Sequence, residues 1–144
     1  MNIEYLFKQK PELSQIGSIE NYKEYIKTIF PESSIPYIVY HGTSLIFDKF
    51  TIRINDTSVP YACFSDSFDF AKKFSEERVS DRGGTPVVYL CRVNNGSISE
   101  YDDFDSIISN EIIVYNDKDI HLLGSEYDII SFKIFMKNHK LLAN

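Results

Sequence analysis

Apolar positions near the N-terminus recur at helical spacing: Ile19, Tyr22, Ile26 and Ile29 fall on one face. Ser18 stands where an N-cap belongs, and Pro31 stands where the helix must stop. Pro11 sets off a shorter helix before it, so the first 35 residues read as helical. From residue 37 the period changes to that of a strand. Residues 37–41 (Tyr-Ile-Val-Tyr-His) set β-branched residues between aromatics, and Gly42 is expected to end the run. Phe47 and Phe50 are expected to tuck under the sheet. Residues 61–64 read as a second short strand. Asp66 or Ser67 then caps a helix with Phe70, Ala71 and Phe74 on one face. Asp81-Arg82-Gly83-Gly84 reads as a loop. Residues 86–93 form a strongly apolar strand, followed by a turn at Asn94-Asn95-Gly96 and a short strand over 97–101. The acidic stretch 102–105 reads as an exposed loop or helix start. Residues 111–115 are the clearest strand of all. Residues 127–135 are expected to be a final strand, ahead of last residues that turn helical.

Helices and strands do not alternate regularly in this order, so the fold class is α+β rather than a doubly wound sheet. A chain of 144 residues fits one domain, 1–144, with 1–35 as a helical N-terminal extension. Composition adds little to that picture: 43% hydrophobic and 25% charged residues are ordinary for a folded domain. With no Trp, Tyr and Phe must supply the aromatic packing. Charge changes the picture more. A net charge of −6 with scattered cations, apart from the pair Lys72-Lys73, argues against broad nucleic-acid binding. The two cysteines, Cys63 and Cys91, make no CxxC pair, and three widely spaced histidines give no metal-ligand pattern. The N-terminus lacks a basic, then apolar, leader, and no apolar run approaches a membrane span. A cytoplasmic protein without a metal or a membrane partner is the expectation.

Three places could carry chemistry. Tyr40-His41-Gly42-Thr43 sets an imidazole beside a glycine, which would let a ligand approach the main chain. Tyr61-Ala62-Cys63-Phe64-Ser65-Asp66, with Phe74 brought back by the following helix, makes an aromatic corner. Strand alternation puts Tyr61 and Cys63 on one face and Phe64 on the other. Asn110-Glu111-Ile112-Ile113-Val114-Tyr115 opens an apolar strand with a carboxylate. Taken singly, each has a bland reading: a strand-ending His with a turn Gly, a capped strand–helix corner, and a solvated strand-end Glu.

Together, and in this order, the three regions resemble the signatures of the diphtheria-toxin and poly(ADP-ribose)-polymerase type of ADP-ribosyltransferase, a group that includes small bacterial and phage-borne domains. The resemblance spans roughly residues 37–124. His41-Gly42-Thr43 matches the first signature. Phe64-Ser65-Asp66 with Ala71 and Phe74 matches the second, and Glu111 the third. The Asn-Glu pair before an apolar run ending in Val-Tyr is close to the polymerase form. The resemblance implies a split β-sheet core around an NAD cleft, read as two small packed sheets, with the N-terminal helices as an addition that covers the cleft or selects the target. It implies that His41 holds the nicotinamide ribose hydroxyl and that Gly42 grips the nicotinamide amide through its backbone. Thr43 or Ser65 would lie near the ribose and phosphates, Phe74 would stack on nicotinamide, and Glu111 would be the catalytic carboxylate. One position departs. The family's aromatic before the Phe falls on Cys63, with Tyr61 two residues back on the same strand face as a substitute.

The chemistry suits this residue set. Nicotinamide leaves NAD⁺ neutral, so no general acid is required. One carboxylate, Glu111 here, can stabilise the oxocarbenium-like transition state where ordinary glycoside cleavage needs two. No GxGxxG follows a strand, so NAD⁺ would be a consumed substrate rather than a bound cofactor. Ser109 occupies the place where arginine-modifying relatives carry a second Glu, which points away from arginine as acceptor. Transfer of a single ADP-ribose to a macromolecule, with a protein as the expected acceptor, is the reading adopted. A phage or bacterial effector acting on host machinery is its natural setting. Three other readings remain open: a module of the same fold that binds NAD⁺, ADP-ribose or a partner without turnover, an NAD⁺ glycohydrolase with water as acceptor, and a purely structural domain.

Overall fold

Ser18 starts the longest N-terminal helix as the spacing requires. Its hydroxyl accepts from the Asn21 N–H at 3.1 Å, and the Asn21 side chain accepts from the Ser18 N–H at 3.0 Å. The computed structural model describes residues 2–50, 52 and 61–139. It contains three short N-terminal helices: α1 (Ile3–Gln9), α2 (Glu12–Ile16) with Pro11 at its N-cap, and α3 (Ile19–Ile26). The third ends well before Pro31. A turn closed by the Thr28 and Ile29 amides on Tyr25 and Ile26 replaces its last expected turn.

Six strands among the described residues form one antiparallel sheet in the order β4-β5-β2-β1-β3-β6. They are β1 (Val39–Thr43), β2 (Ala62–Ser65), β3 (Val87–Val93), β4 (Ser97–Phe104), β5 (Ile107–Val114) and β6 (Ile120–Leu122). The long helix α4 (Phe68–Arg82) joins β2 to β3, and α5 (Glu126–Asn138) follows β6. The fold is therefore mixed α+β with an antiparallel sheet. The expectation of two small packed sheets is corrected to one. That sheet is nearly divided. β1 holds β3 through five register pairs and β2 holds β5 through four, but β1 and β2 share one pair, Tyr40 with Ser65.

The strands separate two apolar clusters, one on each face. Tyr40, Val88 and Leu90 face the helices and pack with Ala71 of α4, Tyr22 and Tyr25 of α3, and Phe132 of α5. Val39, Phe64, Cys91, Ile112 and Val114 face the other way and gather Phe47, Phe50 and Ile52 against them, as expected for Phe47 and Phe50.

Several further expectations change. Asp81 and Arg82 form the end of α4 rather than a loop, and β5 begins at Ile107, so Glu111 lies inside that strand instead of opening it. Residues 127–135 lie in α5, not in a strand. Ser125 caps it by accepting from the Asp128 N–H at 3.2 Å, and Asp128, Phe132 and Met136 are buried four residues apart. The β-branched Ile129 and Ile130 gave that segment a strand-like look, but a 3.6-residue period organises it. The acidic stretch 102–105 is the second half of β4 up to Phe104, followed by a tight turn in which Asp105 and Ser106 both take positive φ. β1 runs two residues further than expected, so Gly42 sits inside the strand rather than ending it. The strand β6 had no sequence expectation.

Two buried polar knots tie the N-terminal part of the chain to the rest of the fold, Asp128 of α5 holding α3 and Arg92 of β3 holding the segment that follows α3. Asp128 is fully buried and accepts from Tyr22 Oη at 2.5 Å, Tyr25 Oη at 2.7 Å, the Gly124 N–H at 2.8 Å and His121 Nε2 at 2.6 Å. Arg92, 1% exposed on β3, donates to the carbonyls of Ile29, Phe30 and Tyr37 and lies over the Tyr37 ring at 4.9 Å. Both knots satisfy polar groups that burial would otherwise leave unpaired.

Candidate active site

The gap between β1 and β2 is where the site forms. Beyond the Tyr40–Ser65 pair the two strands no longer exchange backbone bonds, and the imidazole of His41 bridges them instead. Its Nδ1–H donates to the Cys63 carbonyl at 2.8 Å. A cavity of about 890 Å³ opens at this gap. His41, Glu111, Cys63 and Phe74 all line it, so the structure brings the three sequence regions to one place.

The sheet register fixes which wall each residue belongs to. Cα partners in adjacent strands share a face. Tyr40, Ser65, Cys63 and Glu111 therefore face α4, since Ser65 pairs with Glu111 and Cys63 with Ile113. His41 points to the opposite face, among the rings of Phe50 at 4.9 Å, Phe64 at 5.7 Å and Phe47 at 6.4 Å. His41 and Glu111 reach one cavity from the two sides of the sheet, because the sheet is parted between their strands.

Electrostatics follow from that packing. Burial among aromatics pulls the His41 pKa below its ordinary value, with the Cys63 carbonyl acting in the opposite direction. The imidazole is neutral at neutral pH. With the proton on Nδ1, Nε2 is left as a hydrogen-bond acceptor. On the other wall, burial pushes the Cys63 thiol up to about 12, and the neighbouring Glu111 carboxylate adds to that rise. Cys63 is thus a protonated S–H beside a half-buried carboxylate.

Glu111 is held by its neighbours in sequence. Asp66 Oδ1 accepts from the Asn110 backbone N–H at 2.9 Å, and Asp66 Oδ2 accepts from Asn110 Nδ2 at 2.8 Å. The buried hydroxyls of Ser65 and Ser109 bond to each other beneath this clamp. Ser65 also donates to the Ser67 carbonyl at 3.0 Å and accepts from the Ser67 N–H at 2.9 Å. Its hydroxyl is engaged in building the corner into α4. Of the two expected caps, it is Ser67 that caps the helix, accepting from the Phe70 N–H at 3.1 Å. Asp66 clamps β5 instead.

The other expected site residues fall around the same cavity. Thr43 lines it, with its hydroxyl accepting from the Leu45 N–H at 3.1 Å. Phe64 is buried and forms the floor on the His41 side. Tyr61 stands at the rim, half exposed, with its ring 6.4 Å from that of Tyr115. Gly42 lines the cavity too, but packing explains its lack of a side chain. A Cβ there would run into the Ala71 carbonyl of α4. The close approach expected of a ligand at this glycine is made by the helix backbone instead.

Two features were not anticipated. Arg78 lines the cavity one helical turn beyond Phe74, with its guanidinium over the Phe74 ring at 4.7 Å. The i, i+4 spacing of Phe70, Phe74 and Arg78 was the available signal. The loop after β1 forms the outer lip, where Leu45 and Ile46 are 66% and 75% exposed. Tyr89 pins that lip by accepting from the Phe47 N–H at 2.6 Å and stacking on the Phe47 ring at 4.2 Å. None of the described residues lining the cavity comes from α1, α2 or α3, so these helices do not cover it in this conformation. Among the described residues, no group of three His, Cys, Asp or Glu side chains is arranged to hold a metal, and no helix is long and apolar enough to cross a membrane. Comparison with protein-family models, curated proteins and solved structures gave no match.

Proposed function

We propose that this protein is a mono-ADP-ribosyltransferase that cleaves NAD⁺ and transfers ADP-ribose to a macromolecular acceptor, with a split-sheet NAD⁺ cleft of the diphtheria-toxin and polymerase type. One observation carries the reading. The sheet parts after Tyr40–Ser65, and into that parting come His41, Glu111 and the Phe74 ring.

Each role follows from the chemistry each group can supply. Phe74 offers a flat apolar face for the nicotinamide ring. His41, neutral and protonated on Nδ1, presents Nε2 to accept from a ribose hydroxyl. The main chain at Gly42 and the hydroxyl of Thr43 lie on the same wall and orient the nicotinamide side of the substrate. Glu111 faces the reacting sugar. As the C1′–N bond breaks, its electron pair goes to nicotinamide, which departs neutral. Positive charge grows on the ribose and is stabilised by the Glu111 carboxylate in a partly water-excluded site. The acceptor nucleophile then bonds to C1′ and loses its proton, so NAD⁺ and acceptor–H give ADP-ribosyl-acceptor, nicotinamide and H⁺. Cys63, standing where the resembled family has an aromatic, donates its S–H toward Glu111 and leaves ring stacking to Phe74 and, at the rim, Tyr61.

The experiment is an assay with labelled NAD⁺ in a bacterial lysate, run on the wild type and Glu111→Gln. Label on a discrete macromolecule, reduced roughly 100-fold or more in the variant, supports the transferase. Nicotinamide release without label transfer converts the reading to glycohydrolase. Binding of NAD⁺ without consumption converts it to a binding module.

A further inference from the structure

We infer that Arg78 is the diphosphate-binding residue of the cleft, and that it shields the Phe74 ring until a phosphate-bearing substrate draws it away. This rests on the NAD⁺ reading and adds to it a recognition residue and an order of events.

Helix α4 presents one face to the cavity, with Phe70, Phe74 and Arg78 at successive i, i+4 positions. Arg78 therefore sits about 6 Å further along the helix than Phe74. In a dinucleotide stacked on Phe74 the diphosphate stands one ribose away from the ring, a separation of the order of that spacing. The charge inventory of the wall agrees. Among the described lining residues Glu111 is the one carboxylate, while Arg78 and the exposed Lys49 are the cations. Among the described residues, Arg78 enters no ion pair, and its guanidinium rests on the Phe74 ring. A half-buried guanidinium resting on an aromatic ring, in a chain of net charge −6, is a cation without an anion.

The exchange follows from relative strengths. A cation–π contact at a partly exposed site is weak, whereas a guanidinium–phosphate pair is charge-assisted and bidentate. Phosphate arriving at the cleft would take the guanidinium, and its departure would open the face of Phe74 that it had covered. The whole dinucleotide gains from both events. Nicotinamide alone has no phosphate to draw Arg78 off, so it must compete with the guanidinium for the ring.

The test measures binding of ADP-ribose, NAD⁺ and nicotinamide by calorimetry to the intact wild type, Arg78→Ala and Arg78→Lys, with thermal midpoints confirming that each is folded. The expectation for Arg78→Ala is roughly tenfold or more weaker binding of ADP-ribose and NAD⁺, with nicotinamide binding unchanged or tighter. Arg78→Lys should fall between, since lysine restores charge without the planar fork. Wild-type affinity for ADP-ribose in Arg78→Ala would overturn the assignment while leaving the NAD⁺ reading standing. Equal loss of all three ligands would also overturn it, marking Arg78 as a support of the cleft wall. Failure of the wild type to bind both NAD⁺ and ADP-ribose would remove the NAD⁺ reading itself.

Discussion

Asp66 grips Asn110 at two points, through the backbone N–H at 2.9 Å and the side-chain amide at 2.8 Å, one residue before Glu111. The grip is reinforced in the reverse direction, since the Asp66 N–H donates to the Asn110 carbonyl at 3.3 Å. The end of β2 and the middle of β5 are thereby locked into one corner. In the proposed mechanism Asp66 is a positioning residue, acting on Glu111 through the backbone of β5. Asp66→Ala should lower kcat for NAD⁺ cleavage by roughly 10- to 100-fold with little change in KM, because misplacing a charge-stabilising group harms the transition state more than substrate binding. Asp66→Asn, which keeps an acceptor for the N–H, should recover part of the loss. Steady-state kinetics on both variants decide it. An increase in KM alone would place Asp66 in substrate binding instead.

Gly42 is demanded by the crossing of α4 over β1, where a side chain would collide with the Ala71 carbonyl. Gly42→Ala should destabilise the protein by about 1–3 kcal/mol, since backbone rather than a flexible side chain must give way. Urea unfolding of the variant measures this directly. A loss well under 1 kcal/mol would mean that the helix shifts freely, and the close packing would then have no structural consequence.

That glycine also marks how far the sequence could be read. His41, Phe74 and Glu111 could be singled out because three short motifs follow one another in the order of the resembled family, although each motif alone has a bland reading and both His41 and Glu111 lie inside their strands rather than at the ends. The partner of Gly42 was not, because Ala71 reaches it only once α4 has packed on the sheet. α5 was misread for a related reason. Ile129, Ile130 and Phe132 have strand propensity, yet Asp128 is what fixes the segment, and its partners Tyr22 and Tyr25 lie about a hundred residues away in the chain. The single Tyr40–Ser65 pair that parts the sheet is likewise a property of the assembled fold. Arg78 could have been found, since it continues the i, i+4 row that already contained Phe70 and Phe74.

Cys63 reports on Glu111. Burial and the adjacent carboxylate together push its thiol up to about 12, so it should react slowly with iodoacetamide at mildly alkaline pH. Cys91 is fully buried and should not react in the folded protein. In Glu111→Gln the carboxylate's share of the shift disappears, and alkylation of Cys63 should speed up although the residue's surroundings are otherwise kept. Mass-spectrometric rates on the two proteins check this. Equal rates would mean that thiol and carboxylate are not in contact.

Asp128 anchors the N-terminal helices. Removing its carboxylate leaves the Tyr22 hydroxyl and the Gly124 N–H without their acceptor in a buried setting, and leaves the Tyr25 hydroxyl with the longer bond to the residue-128 carbonyl at 3.3 Å. Asp128→Ala should cost about 3–5 kcal/mol, in the range for breaking a buried charged network. Tyr22→Phe should cost less, about 1–3 kcal/mol, because one donor is lost and the carboxylate keeps the others. Chemical denaturation of both variants tests the ordering. A Tyr22→Phe loss equal to that of Asp128→Ala would show that the network rests on one bond.

His41 sets the acid limit of the site. Its surroundings are the rings of Phe47, Phe50 and Phe64 and the Cys63 carbonyl, with Glu111 on the far wall of the cavity. Burial lowers its pKa from an ordinary 6.5, so the folded protein holds the neutral ring where the unfolded chain would already be protonated. Between the two values the unfolded chain binds more protons, so stability rises with pH across that window. The contribution is in place above the unfolded value of 6.5 and is lost as pH falls through the folded value. Activity should follow the folded value. Once Nε2 is protonated it can no longer accept from a ribose hydroxyl, so kcat/KM should fall toward acid with a midpoint below 6.5. The check is a pH–rate profile paired with a nuclear magnetic resonance titration of the His41 ring. The two midpoints should coincide below the ordinary histidine value, and a ring that titrates at or above it would remove His41 as the neutral acceptor on which the mechanism depends.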